Sequence, residues 1–282
     1  MKRKSTLIIG IVLTLSLLSF FVYRNKFLPA EAPVQLEYLA AGQKQTCGMV
    51  STARAGEAVK TSVGNIDKKG RTFFDFSGET VGASPKTFTP AVGNWIIGSD
   101  ENNTVLVVDG RKWKRGIASA GLADKARALY GERYAEFLDN VTAYAYYPFA
   151  VAGNIENFTN GEINVRFKGV AGRIDQGAGI LFDLKPNGDY YAIRANPLEN
   201  NMVLWRYKHG KRSSISWVRN VNTPSRQWHT LKMTVDGNLI KGYVNGKQYI
   251  AHSLPTPVSG KVGLWTKADS VVYFDDYQVD AR

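Results

Sequence analysis

Residues 230–246 read Thr-Leu-Lys-Met-Thr-Val-Asp-Gly-Asn-Leu-Ile-Lys-Gly-Tyr-Val-Asn-Gly, and this stretch decides the fold. Two runs of strand-forming residues, 230–235 and 239–244, are separated by Asp236-Gly237-Asn238, and Asn245-Gly246 follows the second run. Asn, Asp and Gly tolerate the positive φ angles that tight hairpin turns require. The stretch therefore predicts antiparallel strands that are joined by short turns.

The same organisation extends over the second half of the chain. Residues 162–168 alternate polar and apolar side chains with a period of two, which is typical of a half-buried antiparallel strand. Further strand-like runs lie at residues 179–184, 190–195, 202–207, 261–266 and 271–279. Turn residues occur between them, at Pro186-Asn187-Gly188 and at His209-Gly210. Short strands joined in this way predict an all-β sandwich or barrel.

One segment has a different period. A helix of about residues 121–139 is predicted there as an insertion between β elements, with Asp139-Asn140 as its stop. Its apolar side chains recur at helical spacing, at Leu122, Ala126, Leu129, Tyr130, Tyr134, Phe137 and Leu138.

The N-terminus resembles an export signal or a single membrane anchor. Lys2-Arg3-Lys4 precede an uncharged run, residues 5–23. Its apolar centre of sixteen residues, 7–22, spans roughly 24 Å as a helix, which is short of the ~30 Å hydrocarbon core. Ala30-Glu31-Ala32 has the pattern of a signal peptidase site, although Pro33 follows it directly. Cleaved signal and uncleaved anchor both stay open, and the anchor is the favoured interpretation.

The charges around this segment predict its orientation. The cluster at residues 2–4 outweighs Arg24 and Lys26, which places the N-terminus in the cytoplasm and the remainder outside. We therefore expect an exported protein in the periplasm or another extracytoplasmic space, held in the cytoplasmic (inner) membrane by residues 7–23. The predicted organisation is a signal peptide or anchor at 1–32, a linker at 33–70 and a β domain at 71–282.

The composition narrows the class of protein further. With 282 residues, 44% hydrophobic and 21% charged, the chain is unlike disordered, collagen-like or multispanning membrane proteins. Its formal net charge is +12, and residues 1–70 alone carry 10 Lys and Arg against 4 Asp and Glu. Basic runs at residues 111–115 and 208–212 fit no nucleic-acid-binding motif, so nucleic acid is not an expected partner. Acidic glycans or anionic lipid head groups fit an exported basic domain better.

No cofactor is predicted. Cys47 is the single cysteine, and the three histidines show no metal-ligand spacing, which excludes a structural zinc site and an intramolecular disulfide. The oxygen-rich residues 100–103, Asp-Glu-Asn-Asn, are a candidate Ca²⁺ loop, for which a solvated turn is the simpler interpretation.

Several segments resemble a known superfamily. Residues 190–201 (YYAIRANPLENN), 227–231 (QWHTL), 243–247 (YVNGK) and 263–276 (GLWTKADSVVYFDD) are similar to bacterial laminin-G-like domains of the concanavalin A-like lectin/glucanase superfamily. Within it, the chain is most similar to the 3-keto-disaccharide hydrolase domain branch. The resemblance covers about residues 71–282 and is strongest from residue 162. It implies an antiparallel two-sheet jelly-roll sandwich.

A glucanase mechanism is not expected from the sequence. Family 16 glucanases of this superfamily place paired carboxylates on alternate residues of one strand, and a retaining pair stands ~5–5.5 Å apart. The chain has no Glu-x-Asp-x-x-Glu strand. Its nearest acidic pair, Asp275 and Asp276, is adjacent in the sequence, which predicts that the two carboxylates lie on opposite faces of a strand.

Two groups of residues are candidates for a site. A sugar ring needs hydrogen-bonding groups for its hydroxyls and an aromatic ring for its CH face. Candidate carbohydrate-binding residues are Tyr190, Arg194, Asn196, Glu199, Asn201 and Trp205. Lys267, Asp269 and Ser270 form a second group at the end of a strand. The structural alternative is that Arg194 and Glu199 form a loop-fixing ion pair and that the second group is a capped turn.

Three functions remain open from the sequence. The first is a non-catalytic carbohydrate-binding domain with a glycan or oligosaccharide as partner. The second, implied by the resemblance, is a hydrolase or lyase of 3-keto-glycosides that needs one general base, Glu199 or Asp269, and a cationic enolate stabiliser, Arg194 or Lys267. The third is a protein-interaction module of the cell envelope.

Overall fold

The strand-forming runs pair into two antiparallel sheets in the computed structural model of the protein, which describes residues 65–66, 71–113, 147–209 and 211–282. The described residues contain sixteen strands and one short 3₁₀ helix, Gly110–Trp113. The strands are β1 Asn65–Ile66, β2 Arg71–Phe74, β3 Phe88–Val92, β4 Trp95–Asp100, β5 Asn103–Asp109, β6 Phe149–Ala152, β7 Gly161–Ala171, β8 Ala178–Leu184, β9 Tyr190–Asn196, β10 Asn201–Lys208, β11 Lys211–Arg219, β12 His229–Asp236, β13 Leu239–Val244, β14 Lys247–Ser253, β15 Lys261–Trp265 and β16 Val271–Ala281.

Within the described residues, the first sheet has nine strands and the second has seven. The first sheet follows the order β1-β2-β16-β7-β12-β13-β14, and β4 and β5 join it because β5 also pairs with β16. The second sheet follows the order β11-β10-β9-β8-β15-β6-β3. The long strand β16 pairs with β2, β5 and β7, so it is a central strand of the first sheet.

The main hydrophobic core lies between the sheets. Ile163, Val165 and Phe167 alternate along β7 and are fully buried, and they belong to one cluster with Ile180 and Phe182 of β8. Each such side chain contributes about 1.5–3 kcal/mol by leaving water. Because the side-chain period of a strand is two, the polar residues between them are left on the outer faces of the sandwich.

The second sheet also has an apolar outer face. We call the buried apolar residues on this face the outer cluster, which is separate from the core between the sheets. Its largest members are Phe149, Leu181, Tyr190, Trp205, Tyr207 and Trp265, and Tyr147 packs against it. Tyr190 and Tyr207 stack with ring centroids 4.3 Å apart, and Tyr147 stacks on Trp265 at 6.0 Å. This face carries the candidate site.

The sequence-based fold class is confirmed as an all-β sandwich of two antiparallel sheets. Each of the eight strand-like runs from residue 162 onward corresponds to an observed strand, and the run 261–266 extends one residue past the end of β15. Turn residues adopt the expected positive φ, for example 60° at Gly237 and 48° at Asn245. Strands β2 to β6, β11 and β14 were not predicted. β1 pairs with β2, so strand pairing extends into the predicted linker.

The anchor at residues 7–23 and the inserted helix at 121–139 lie outside the described residues. The described part of the chain contains no helix that is long and apolar enough to cross a membrane.

Candidate functional site

The hairpin between β9 and β10 positions the first group of candidate residues. Asn196 ends β9 directly opposite Asn201, which begins β10. The side-chain oxygen of Asn196 accepts the backbone N–H of Leu198 at 3.1 Å, and its own carbonyl accepts the N–H of Glu199 at 3.2 Å. Asn200 completes the turn with a φ of 47°. The turn therefore places Glu199 beside the end of β9 and the start of β10.

Glu199 lies in a compact polar network. Its Oε2 accepts hydrogen bonds from Nη2 of Arg194 at 2.7 Å and from Nδ2 of Asn201 at 2.9 Å. Nη1 of Arg194 donates to Oδ1 of Asn201 at 2.6 Å, which closes a three-residue ring of contacts. Arg194 is 1% exposed, whereas about a third of the Glu199 side chain is exposed. The network thus consists of an accessible carboxylate, that of Glu199, above a buried guanidinium, that of Arg194.

The charges of this network set the acidity of Glu199. Burial raises the pKa of the Glu199 carboxyl, but the hydrogen bond and charge of Arg194, the hydrogen bond from Asn201 and the charge of Lys267 together lower it below its usual value. A carboxylate with a lowered pKa is a weak proton acceptor. This arrangement suits Glu199 as a fixed hydrogen-bond acceptor better than as a general base.

Asp175 joins the two groups of candidate residues, and sequence reasoning missed it. Its Oδ1 accepts from Nδ2 of Asn196 at 2.6 Å, and its Oδ2 accepts from Nζ of Lys267 at 2.6 Å. Asp175 is fully buried. The only signal in the sequence was a single Asp in a polar, glycine-containing segment, which does not distinguish it from a turn residue.

Asp269 and Ser270 stabilise local backbone. The Asp269 carboxylate accepts the backbone N–H groups of Arg173, Ile174 and Asp175 at 2.8–3.2 Å. The Ser270 hydroxyl donates to the carbonyl of Lys267 at 2.6 Å. These contacts match the capped-turn interpretation. A cleft of about 640 Å³ opens beside this turn and is lined by Arg111, Ala171, Gly172, Arg173, Ile174 and Asp269.

The two aromatic candidates are buried. Tyr190 is 1% exposed and lies against Tyr207. Trp205 is 5% exposed, and Cζ of Arg212 lies 4.1 Å from its ring centroid. Their positions make both rings part of the outer cluster beneath the site.

Trp217 is the exposed aromatic residue of this region, and it was not among the predicted site residues. It lies on β11 opposite Val203, which belongs to the outer cluster, and 48% of its surface is exposed. Its ring meets Trp205 edge to face at 5.4 Å. The sequence KRSSISWVR of β11 has no clear apolar alternation, so its serines and basic residues hid the strand and with it Trp217.

The acidic pair Asp275 and Asp276 requires a correction. The predicted placement on opposite faces is wrong, because a β-bulge interrupts β16 here and Asp276 has a φ of 49°. Both carboxylates reach Nη1 of Arg166, at 3.6 and 3.1 Å. Burial and the Asp276 charge raise the pKa of Asp275, against the hydrogen bond from Asn103. The pair lies on the first sheet, away from the β9–β11 region.

The candidate calcium loop is a tight turn between β4 and β5. Asp100 accepts hydrogen bonds from Nζ of Lys168 at 2.6 Å and from Nε1 of Trp228 at 2.9 Å, so its oxygens are committed to protein donors. Within the described ranges, no cluster of three or more His, Cys, Asp or Glu side chains could hold a metal ion.

Comparison with solved structures finds similar folds at low sequence identity. The chain is similar to the carbohydrate binding module CBM66 from Bacillus subtilis, with 11% identity and a TM-score of 0.48 over 71% of this chain and 98% of that one. It is also similar to a Bacillus licheniformis beta-glucanase (15% identity, TM-score 0.37, 48% of this chain and 71% of that one) and to a Caenorhabditis elegans galectin (17% identity, TM-score 0.34, 48% and 96%).

No protein-family model matches the sequence, and no curated protein matches it. The two antiparallel sheets are the architecture that the sequence resemblance to the concanavalin A-like superfamily implied. The chain's place in the 3-keto-disaccharide hydrolase branch stays a prediction.

Proposed function

We propose that this protein binds a carbohydrate on the outer face of the second sheet, along β9, β10 and β11. The observation that carries the proposal is the half-exposed indole of Trp217 on the same face as the Arg194–Glu199–Asn201 network. An aromatic ring beside fixed polar groups offers the two contacts that a sugar ring needs, one for its CH face and one for its hydroxyls.

The spacing along the strands fits one ligand. Asn201 pairs with Arg219, and Val203 pairs with Trp217, so the network and the indole are two residues apart on neighbouring strands. Two residues of a strand span about 7 Å. A sugar ring that stacks on Trp217 therefore lies close enough to the Glu199 network for its hydroxyl groups to contact that network.

Glu199 is suited to accept from a sugar hydroxyl. Its Oε2 holds Arg194 and Asn201, whereas its Oε1 accepts no hydrogen bond from any residue that the structure describes. Because two donors already order the carboxylate, the Glu199 side chain loses little further conformational entropy when a ligand binds.

A binding titration tests the proposal. The full-length protein is titrated calorimetrically with a panel of neutral and acidic oligosaccharides, together with the Trp217→Ala variant. We expect Trp217→Ala to weaken binding at least about tenfold, equivalent to about 1.4 kcal/mol. Tyr243→Ala removes a partly buried aromatic from the first sheet and is the matched control, for which unchanged affinity is expected. Equal affinities for wild type and Trp217→Ala, or no binding by any panel member, would contradict the proposal.

The enzymatic alternative can be examined in the same samples. Both predicted bases already accept hydrogen bonds from the protein. Glu199 accepts from Arg194 and Asn201. Asp269 accepts from three backbone N–H groups. Incubation with a 3-keto glycoside and its unoxidised parent, followed by NMR, distinguishes turnover from binding. Release of the aglycone from the keto compound would favour the enzyme and make Glu199→Gln the next variant.

We also propose that the domain acts outside the cytoplasm, held at the membrane by residues 7–23. The support is the sequence, with Lys2-Arg3-Lys4 ahead of an uncharged apolar run. Membrane fractionation with an alkaline wash, combined with the mass of the isolated chain, tests it. A wash-resistant protein of full mass is expected. A mature chain that begins near residue 33 would indicate a cleaved signal instead.

A further inference from the structure

The face proposed to bind carbohydrate contains buried N–H donors that lack an acceptor. Nε of Arg194, Nε1 of Trp205 and Nη1 of Arg212 are buried atoms without a hydrogen-bond acceptor among the described residues. The Tyr207 hydroxyl, which lies opposite Arg212, is the protein oxygen that interacts with the Arg212 guanidinium. A buried donor without a partner is unfavourable, because it has given up its hydrogen bond to water without replacement. Three of them on one face indicate that an acceptor-rich group belongs there.

The three donors are held together by the Trp205 ring. Cζ of Arg212 lies 4.1 Å from the ring centroid, and Cζ of Arg194 lies 5.9 Å from it. Trp217, the proposed stacking residue, contacts the same ring at 5.4 Å. The donors are therefore neighbours of the proposed sugar-stacking surface.

The charge balance of this region is positive. Arg194 is neutralised by Glu199 at 2.7 Å, but Arg212 forms no ion pair with any described residue and contacts the rings of Trp205 and Tyr147 instead. The β10–β11 hairpin contains five Lys and Arg residues and no Asp or Glu, and Arg219 ends β11 beside Asn201. A ligand at this face thus meets a cation that no carboxylate of a described residue compensates.

We infer that the carbohydrate bound here is acidic, with a carboxylate such as that of a uronic acid accepted by Arg212 and the donors around Trp205. This inference rests on the proposed carbohydrate binding and names its ligand class. A carboxylate supplies two acceptor oxygens, and the planar guanidinium presents paired donors to it. Charge-assisted hydrogen bonds of this kind are shorter and stronger than neutral ones.

The geometry favours a glycan over a lipid surface. Two of the three donors lie on side chains that are at least 95% buried, next to an exposed indole in the flat face of a sheet. A bilayer head group would instead meet cations that project from the surface. An individual sugar acid, stacked on Trp217, reaches into the sheet face.

The test compares one oligosaccharide in two forms. The full-length protein is titrated with a glucuronic-acid-containing oligosaccharide and with its carboxyl-reduced form, which has the same backbone without the charge. We expect the acidic form to bind at least about tenfold more tightly in low salt, and the preference to shrink as NaCl is raised. Arg212→Gln is expected to abolish the preference, and Arg212→Lys, which keeps the charge without the planar fork, to reduce it.

Arg206→Gln is the matched control. Arg206 lies on the same hairpin between Trp205 and Tyr207, whose side chains belong to the outer cluster, so it faces the opposite side of the sheet. Like Arg212→Gln, this substitution removes one positive charge from the β10–β11 hairpin, but from the opposite face of the sheet. The preference for the acidic form is expected to persist in this variant. Thermal unfolding of each variant checks that it is folded.

Each contrary outcome has a distinct meaning. Equal affinity for the acidic and reduced forms would overturn the acidic-ligand inference and leave carbohydrate binding intact. If the protein binds neither form and no other sugar, the acidic-ligand inference and the proposed carbohydrate binding are both overturned. Binding to phosphatidylglycerol vesicles with the same Arg212 dependence, in the absence of sugar binding, would overturn the inference in favour of a lipid surface. An Arg212→Gln variant with lower thermal stability and an unchanged preference would also overturn it.

Discussion

Nζ of Lys267 lies 2.6 Å from Oδ2 of Asp175, a carboxylate that is completely buried and that holds Asn196 with its other oxygen. Asp175 thereby connects the end of β9 at Asn196 with Lys267, two residues past the end of β15. The polar candidate residues of both groups consequently belong to one hydrogen-bonded structure beside the C-terminal ends of β9 and β15.

Replacement of Lys267 is expected to destabilise the protein strongly. Lys267→Met leaves the buried Asp175 charge without its cation, and breaking a buried pair in this way costs about 3–5 kcal/mol. Urea unfolding followed by tryptophan fluorescence measures the change in the free energy of unfolding. Glu156→Gln breaks an ion pair whose acid is 85% exposed and is the control, with an expected loss of about 1 kcal/mol or less. Equal losses for the two variants would show that Asp175 is solvated or paired elsewhere.

Glu199 is expected to stabilise the fold in a pH-dependent manner. Its pKa is lowered in the folded protein, so its contribution is fully present above the unfolded-state value of about 4.3 and is lost as the pH falls through the folded-state pKa. Glu199→Gln should therefore destabilise the protein at pH 7 and approach wild-type stability near pH 3. A stability difference that does not change with pH would contradict the lowered pKa.

Asp275 is expected to show the opposite dependence. Burial raises its pKa, with a further contribution from Asp276, so the cost of its buried charge is fully present above the folded-state pKa and disappears as the pH falls to the unfolded value of about 3.9. Relative to Asp275→Asn, the wild type should gain stability as the pH is lowered. Urea titrations of both proteins between pH 7 and pH 3 measure this, and a relative loss of wild-type stability would refute it.

The strands were predictable where one face is buried and the other is solvated. β7 and β12 alternate because only one of their faces meets the core, and Asn245-Gly246 marks the turn after β13. β11 was missed because it is an edge strand with little buried surface and its residues lack a clear apolar alternation. β3 and β6 carry apolar residues on both faces, so they show no alternation either.

The contact between β15 and β6 gives a sharp test of this packing. A Cβ at Gly263 would lie 2.1 Å from the carbonyl oxygen of Ala150, and that oxygen belongs to backbone that cannot rotate away. Gly263→Ala is expected to cost about 1–3 kcal/mol of unfolding free energy. At Gly78 an added Cβ meets no atom within 4 Å, so Gly78→Ala should change stability by about 0.5 kcal/mol or less. A Gly263→Ala variant as stable as Gly78→Ala would show that the two strands are less closely paired.

The candidate site was only partly predictable. Arg194, Asn196, Glu199 and Asn201 were identified because they crowd one hairpin, and pairing of β9 with β10 brings them together. Asp175 was missed because its partners Asn196 and Lys267 are 21 and 92 residues away, and local patterns do not encode such contacts. The convergence of Asp275 and Asp276 was missed because a β-bulge reverses the side of a strand that a residue faces.

The central claim is that carbohydrate binds on the Trp217 face of the second sheet, and NMR of the tryptophan indole N–H groups tests it most directly. The full-length protein is titrated with the tightest-binding oligosaccharide of the panel, and the Trp217 signal is assigned by its absence in Trp217→Phe. We expect the Trp217 resonance to shift saturably, while that of Trp228, which precedes β12 and donates to Asp100 at the end of β4, stays in place. A Trp217 resonance that does not move while another tryptophan shifts would place the ligand elsewhere and contradict the account.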